Sequence, residues 1–245
     1  MAEWITGRNP VYEVLRAQRR HIHRLWVAKG VKEQGRLIEI LKLAKAQKIS
    51  TQIVKRSDLD GIDPNHQGIA LSTGGYPYSD LESIFEIAKA RKEPVFILML
   101  DLIQDPQNLG TLLRTAEAFG VHGVVLPLAR AASVTPAVVN ASSGATEWLQ
   151  IAQANLAQAI DHIKDEGGWV IGLEDSPEAQ TPTGINLKGG LGLVIGSEGS
   201  GLRRLVRDKC DLLMRLPMQG QIDSLNAAVA GSIALFLARQ ARTSK

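Results

Sequence analysis

Five runs in the latter two-thirds of the chain, Val95–Leu100, Gly123–Leu126, Trp169–Gly172, Leu191–Ile195 and Leu212–Leu216, limit the fold more than any other feature. Several are apolar throughout rather than alternating, the pattern of strands covered on both faces. Helical spacing separates them. Strands interleaved with helices predict a mostly parallel sheet in a layered α/β domain. Ahead of the first run, Ser79-Asp-Leu-Glu82 reads as a capping box that opens a helix.

The first third is patterned differently. Asn9 to Gln18 and Glu33 to Gln47 have helical spacing, whereas Ile22–Ala28, Ser50–Val54 and Gly68–Ser72 read as short strands. A Gly/Pro/polar stretch, Ser72 to Tyr78, follows them and has linker character. The expected organisation is a small α/β module over residues 1–75, a linker and leading helix over 76–93, and a larger domain over 94–245. Charge divides at the same place: 13 Lys+Arg against 7 Asp+Glu up to Gly75, then 15 against 18. A basic first third suits a polyanionic partner. Arg16, Arg19, Arg20, His21, His23 and Arg24 cluster between a helix and a strand. Phosphate contact and a solvated turn are both compatible with that cluster. Its histidines lack acidic or cysteine neighbours, so no metal site is expected there.

Cys210 is the only cysteine, which rules out an intramolecular disulfide and a cysteine-rich zinc site. Met1 to Thr6 lacks the basic-then-apolar pattern of a signal peptide. The uncharged stretch Ser224–Ala238 is shorter than the ~20 apolar residues of a membrane span. A soluble cytoplasmic protein with no membrane partner is the expectation.

Three segments carry chemistry. The first, Asp101 to Ala116, follows the apolar run at Val95–Leu100 and so lies at a strand's carboxyl end, where ligands of open α/β sheets gather. Asp105-Pro106 has N-cap and first-turn character, and Gly120 suits the helix end. Leu109, Leu112, Leu113, Ala116 and Phe119 form its core stripe, while Gly110, Arg114 and Ala118 share another face. The second segment, Leu191 to Leu202, runs from a buried strand into a glycine-rich turn bearing Glu198. Counted from Gly199, a dinucleotide fingerprint needs its third glycine where Arg204 stands, so the fingerprint fails. The third, Leu216 to Ala230, leads into a helix expected from an N-cap at Ser224 to about Arg239. From Leu225 to Ala238 that helix is small or apolar on nearly every face, as in a helix buried all round. One face is expected against the domain core and the other against a second subunit.

In this order the segments resemble the three motifs of the SpoU/TrmH branch of the SPOUT methyltransferases. Asn108, Gly110 and Arg114 match the first, Gly196, Glu198, Gly199 and Gly201 the second, and Leu216, Pro217, Ser224, Leu225 and Asn226 the third. Ser142–Ala145 resembles a small-residue block between them, and Gly7-Arg8-Asn9-Pro10-Val11 resembles the family's N-terminal substrate-binding domain, related to ribosomal protein L30e. The resemblance implies a deep trefoil knot, a homodimer whose sites are completed by the other subunit, and S-adenosyl-L-methionine held near Gly196, Gly201, Leu216 and Leu225. It implies catalytic roles for Arg114, Asn108, Glu198, Ser224 and Asn226, and RNA contact by Arg8, Arg16, Arg19, Arg20 and Arg24. The implied reaction is methyl transfer to a ribose 2′-hydroxyl of structured RNA, with a guanosine of 23S ribosomal RNA as the most similar target. Transfer RNA, another ribosomal site, or RNA binding without catalysis are the alternatives. A guanidinium stays protonated under nearly all conditions, so Arg114 as a base competes with Arg114 as fixed positive charge.

Overall fold

The computed structural model describes residues 2–129, 131–221 and 224–243. It divides into two compact units: Met1–Pro77 with Val134–Trp148, and Tyr78–Ser133 with Leu149–Lys245.

The first unit begins with β1 (Glu3–Thr6), α1 (Arg8–Ala17), β2 (Ile22–Ala28), α2 (Arg36–Ala46), β3 (Thr51–Val54), α3 (Arg56–Asp60) and β4 (Ile69–Thr73). Among the described residues these strands form a four-stranded sheet ordered β1-β4-β2-β3. Only β2 and β3 run parallel. The unit's core takes Ile5, Leu25 and Leu71 from strands and Val14, Leu15, Leu37 and Ile40 from helices, all fully buried. On a second cluster, Ala28, Leu59 and Ala70 pack together with Trp4 and Trp26 against them.

The second unit continues with α4 (Leu81–Arg91), β5 (Phe96–Asp101), α5 (Pro106–Ala118) and β6 (Gly123–Leu126). The chain then supplies α6 (Pro136–Ala141) to the first unit. It returns as β7 (Gln150–Gln153), α7 (Leu156–Asp165), β8 (Trp169–Leu173), β9 (Leu191–Gly196), α8 (Arg204–Lys209), β10 (Leu212–Met214) and α9 (Ala227–Thr243). Among the described residues the sheet has six strands in the order β10-β8-β9-β5-β6-β7. Every pairing is parallel, as the unbroken apolar runs predict. Ile97, Met99, Val125, Val170 and Val194 of the sheet pack with Ile84 and Phe85 of α4 and Ile160 and Ile163 of α7. Helices α5 and α9 pack together, and α9 also meets β9. A Cβ at Gly231 would stand 2.3 Å from Ile195 Cδ1 and 2.6 Å from Leu112 Cδ2, so only glycine allows that approach. No helix among the described residues is long and apolar enough to cross a membrane.

Two local expectations change. Asp80, not Ser79, precedes α4; Ser79 instead donates its N–H to the Ile151 carbonyl at 2.9 Å, because pairing with β7 claims its backbone. Helix α9 starts at Ala227, and Asn226 rather than Ser224 caps it: Asn226 Oδ1 accepts from the N–H groups of Ala228 (2.9 Å) and Val229 (3.2 Å). In a single copy α9 is covered on one side, by α5 and β9. Val229, Ile233 and Phe236 are 46%, 38% and 48% exposed and lie on one helix face.

Candidate active site

The site begins where β9 stops. Gly196 ends the strand fully buried, and a Cβ there would lie 2.3 Å from the carbonyl carbon of Gly201. The turn folds back that tightly because Ser197 N–H donates to Gly201 O (3.1 Å) and Gly201 N–H returns to Ser197 O (3.0 Å). Gly199 (φ +81) and Gly201 (φ +62) take left-handed conformations that favour glycine. Gly201 therefore belongs to the turn, and the next helix, α8, starts only at Arg204.

On the neighbouring strand, the buried Asp101 secures the far side of this turn. Its carboxylate accepts from Arg203 N (2.8 Å) and Arg203 Nε (2.6 Å). Asp101 is a functional position that the motif pattern does not single out. Its signal was a carboxylate at the end of a wholly apolar strand, a place where an unpartnered charge would be too costly.

Asp105 caps α5 as expected, accepting from Gln107 N (3.3 Å) and Asn108 N (3.0 Å). That fixes the first turn of α5 and points Asn108 at the glycine turn. Asn108 Nδ2 donates to Glu198 Oε1 at 3.0 Å. Asn226 Nδ2 donates to Asn108 Oδ1 (3.0 Å) and also to Glu198 Oε1, which accepts from Ala227 N at 3.4 Å as well. One residue from each of the three segments thus meets in a single hydrogen-bonded cluster. Glu198 gathers amide donors from two loops at its carboxylate, an arrangement that locks the loops to one another.

Beside the cluster a cavity of about 900 Å³ opens between β9, β10 and the segment before α9. Gly196, Gly201, Leu216, Ser224, Leu225 and Asn226 line it, and so does Glu198. Ile222 and Asp223 of the third segment lie outside the described residues. Arg114 is not brought to the cavity of its own chain; it sits exposed on α5, where the next residue, Thr115, bonds α9 through its Oγ1 and Ser232 Oγ at 3.0 Å.

The basic residues of the first unit separate. Arg16 and Arg24 are exposed, Arg16 over the rings of Tyr12 and Trp148 and Arg24 over Trp4 and Trp26. Arg19 is half-buried against Tyr76 and the carbonyls of Pro77 and Glu147. Arg20 must be withdrawn from any RNA surface: its side chain is 0% exposed and pairs with the equally buried Glu147 at 2.8 Å and with Glu3 at 3.1 Å. Glu147 accepts from both Nε and Nη2, so the pair is bidentate and structural.

Against known proteins, residues 95–236 match the family model "SpoU rRNA Methylase family", and residues 4–79 match "RNA 2'-O ribose methyltransferase substrate binding". YacO of Bacillus subtilis (strain 168), assigned to the TrmH family of tRNA/rRNA methyltransferases, is 39% identical over 238 residues, 96% of this chain and 94% of that protein. A Staphylococcus aureus (strain COL) protein with the same assignment is 41% identical over 234 residues, 95% of this chain and 93% of its own. Among solved structures, the AdoMet-bound rRNA methyltransferase of Sinorhizobium meliloti aligns with TM-score 0.79 and 25% identity over 99% of this chain and 88% of that one. AviRb of Streptomyces viridochromogenes, crystallised with AdoMet, aligns with TM-score 0.80 over 98% of this chain and 90% of its own, at 21% identity, a likeness of fold. Taken with the meeting of its three motif segments at one cavity, these matches establish that the chain belongs to the SpoU rRNA methylase family.

Proposed function

We propose that this protein transfers a methyl group from S-adenosyl-L-methionine to the 2′-hydroxyl of a ribose in structured RNA. The RNA is a guanosine site of 23S ribosomal RNA, as in the RlmB type. The observation that carries the reading is the meeting of Asn108, Glu198 and Asn226 at the rim of the cavity. The residues present fit the donor. About 900 Å³ lies within the usual range for small-molecule pockets. The walls combine apolar Ile195, Leu202 and Leu225, the backbone of the glycine turn, and the carboxylates of Asp175 and Glu198, which suit a cation, while Glu174 is already paired with Arg207 of the same wall. When bound, the donor supplies an electrophilic methyl carbon on a positively charged sulfur.

The chain's own part is placement and charge. A ribose hydroxyl is a weak acid and nucleophile, so holding it in line with the methyl carbon contributes much of the acceleration. With the donor held by the glycine turn, the methyl would pass to the ribose oxygen with the C–S electron pair staying on sulfur, and the hydroxyl proton would go to solvent at the open rim of the site. A guanidinium close to that oxygen stabilises the developing negative charge without itself being deprotonated, and we assign this to Arg114. Arg114 and the uncovered face of α9, Val229, Ile233 and Phe236, both lie on the packed α5–α9 pair. Their shared location supports a homodimer in which Arg114 serves the cavity of the other copy. The trefoil knot belongs to the same reading. It is supported by the strand order, in which β10 lies at one edge while α9 returns to β9 and α5. The cytoplasm, where RNA is made, is the proposed location.

Arg114→Ala tests the assignment. Calorimetry should find donor affinity unchanged, while tritiated methyl transfer to RNA falls to background. Near-normal turnover would remove Arg114 from the chemistry. Mapping ribose methylation in RNA from cells lacking the protein identifies the target, and full methylation at every 23S guanosine site would exclude that RNA.

A further inference from the structure

The first unit contains a second cavity, of about 400 Å³, lined by Arg8, Val31, Arg56, Gln67 and Gly68. Its lining includes two arginines and no acidic residue. Arg56 has no hydrogen-bond or ion-pair partner among the described residues. Arg8 is held at the rim by weak contacts to carbonyls only, Nε to Gln67 O at 3.4 Å and Nη1 to Gln34 O at 3.3 Å. Two like charges facing one cavity repel unless an anion sits between them.

The loop below is built to hold this shape. Gln67 takes φ +53 and Gly68 φ +84 in succession, an unusual conformation for a non-glycine residue. His66 beneath them is 0% exposed; its Nδ1 accepts from Gly68 N at 2.8 Å, which leaves Nε2 to donate to Asp60 Oδ1 at 3.0 Å. Gln67 then turns its side chain back, and its Oε1 accepts the backbone N–H of Arg8 at 2.9 Å, at the start of α1. A Cβ on Gly68 would come within 2.7 Å of Val31 Cγ2, so the cavity floor also requires glycine. Strain of this kind persists where a site needs a fixed backbone.

We infer that Arg8 and Arg56 form a subsite for a phosphodiester of the RNA backbone, in the unit that carries the chain's basic excess. It rests on the proposed RNA-directed function and adds the register contact by which the first unit grips its substrate. Sequence-independent phosphate contacts fix position on a nucleic acid, and each one makes affinity steeper in salt.

The test is the binding of fluorescein-labelled 23S rRNA transcript to the full-length protein across a potassium chloride series. Arg56→Ala should weaken binding about five- to tenfold near 0.1 M salt and reduce the slope of log affinity against log salt by about 0.7–0.9. Adding Arg8→Ala should lower the slope again by a similar step, and Arg56→Lys should restore most of the wild-type slope. Inorganic phosphate should compete only weakly, because a free anion lacks the neighbouring contacts; full competition at low millimolar phosphate would instead mark a free-anion site. Circular dichroism melting keeps the result readable, since Arg56 makes no contact whose loss would unfold the unit. An unchanged slope in Arg56→Ala overturns the inference even if methyl transfer is normal. Wild-type protein that binds RNA with an Arg56-dependent slope yet transfers no methyl would instead defeat the proposed function and leave this subsite standing.

Discussion

Two clusters of charged and polar side chains, one in each unit, look alike in the sequence and do opposite work in the structure. In the second unit, Asn108, Glu198 and Asn226 come from three distant segments and meet at an open rim beside a cavity. In the first, Arg20 and Glu147, 127 residues apart, meet where no water reaches. Residue type does not separate them; burial and pairing do. A solvated carboxylate that holds two loops leaves its remaining lone pairs for a ligand. A sealed, bidentate ion pair has no spare donor or acceptor, and its Coulomb attraction goes chiefly to offset desolvation.

The contrast breaks most visibly at Glu147. Glu147→Ala leaves Arg20 buried with the part-exposed Glu3 as its remaining ion-pair partner, which should lower stability by about 3–5 kcal/mol, read by urea unfolding. A loss below about 1 kcal/mol would show that water reaches the guanidinium and that the two clusters differ less than their burial indicates. Donor binding, a property of the second unit, should survive in whatever fraction remains folded.

Glu198→Ala is the reciprocal experiment. The side chain is exposed, so unfolding should change little, but Asn108 and Asn226 lose their shared acceptor and the two loops lose register. Misplacement of that size is worth on the order of 100-fold in turnover. A large stability loss with normal methyl transfer would reverse the comparison and make the Glu198 cluster the structural one.

How much of this was legible beforehand follows from the same physics. The parallel sheet was readable because strands buried on both faces are apolar without interruption, as in Phe96–Leu100 and Leu191–Ile195. The four-residue strands β1 and β7 carry two apolar residues each between polar ones, too faint a pattern to stand out, unlike the equally short β6 with its unbroken Val-Val-Leu. Asn108, Glu198 and Asn226 could be named from the family's motif pattern, but their mutual hydrogen bonds could not. Ser224 was a good cap by residue type, yet Asn226, two residues on, has a side chain that reaches both the helix N–H groups and the other motifs. Least legible was the return of Val134–Trp148 to the first unit. Gly144 fits there because a Cβ would lie 2.7 Å from Glu13 Cβ, and Glu147 fits because Arg20 awaits it. Both are facts of long-range packing, and no window of the sequence contains both partners.

A smaller effect separates the two units by pH. His122 in the second unit is buried; its Nδ1 accepts from Phe96 N at 2.9 Å, so Nε2 carries the proton toward Glu93 at 3.0 Å. Burial, only partly offset by Glu93, holds the imidazole below its ordinary value of 6.5. The folded state therefore binds fewer protons than the unfolded one just below that pH. The contribution is whole above about pH 6.5 and fades as pH falls through the lowered value. Tyr76 in the first unit works from the other side. Its hydroxyl donates to Thr146 O at 2.9 Å, and burial pushes it up from 10.0 to about 12. Its contribution is complete below pH 10 and disappears as pH rises through about 12, up to roughly 3 kcal/mol. Acid should thus loosen the second unit first and alkali the first, a difference readable from amide exchange of β5 against β4 across the pH range. His122→Asn should flatten only the acid limb and Tyr76→Phe only the alkaline one. If either substitution altered both limbs equally, the two units would be unfolding as one cooperative body, and the division drawn between their clusters would no longer describe how the protein is held together.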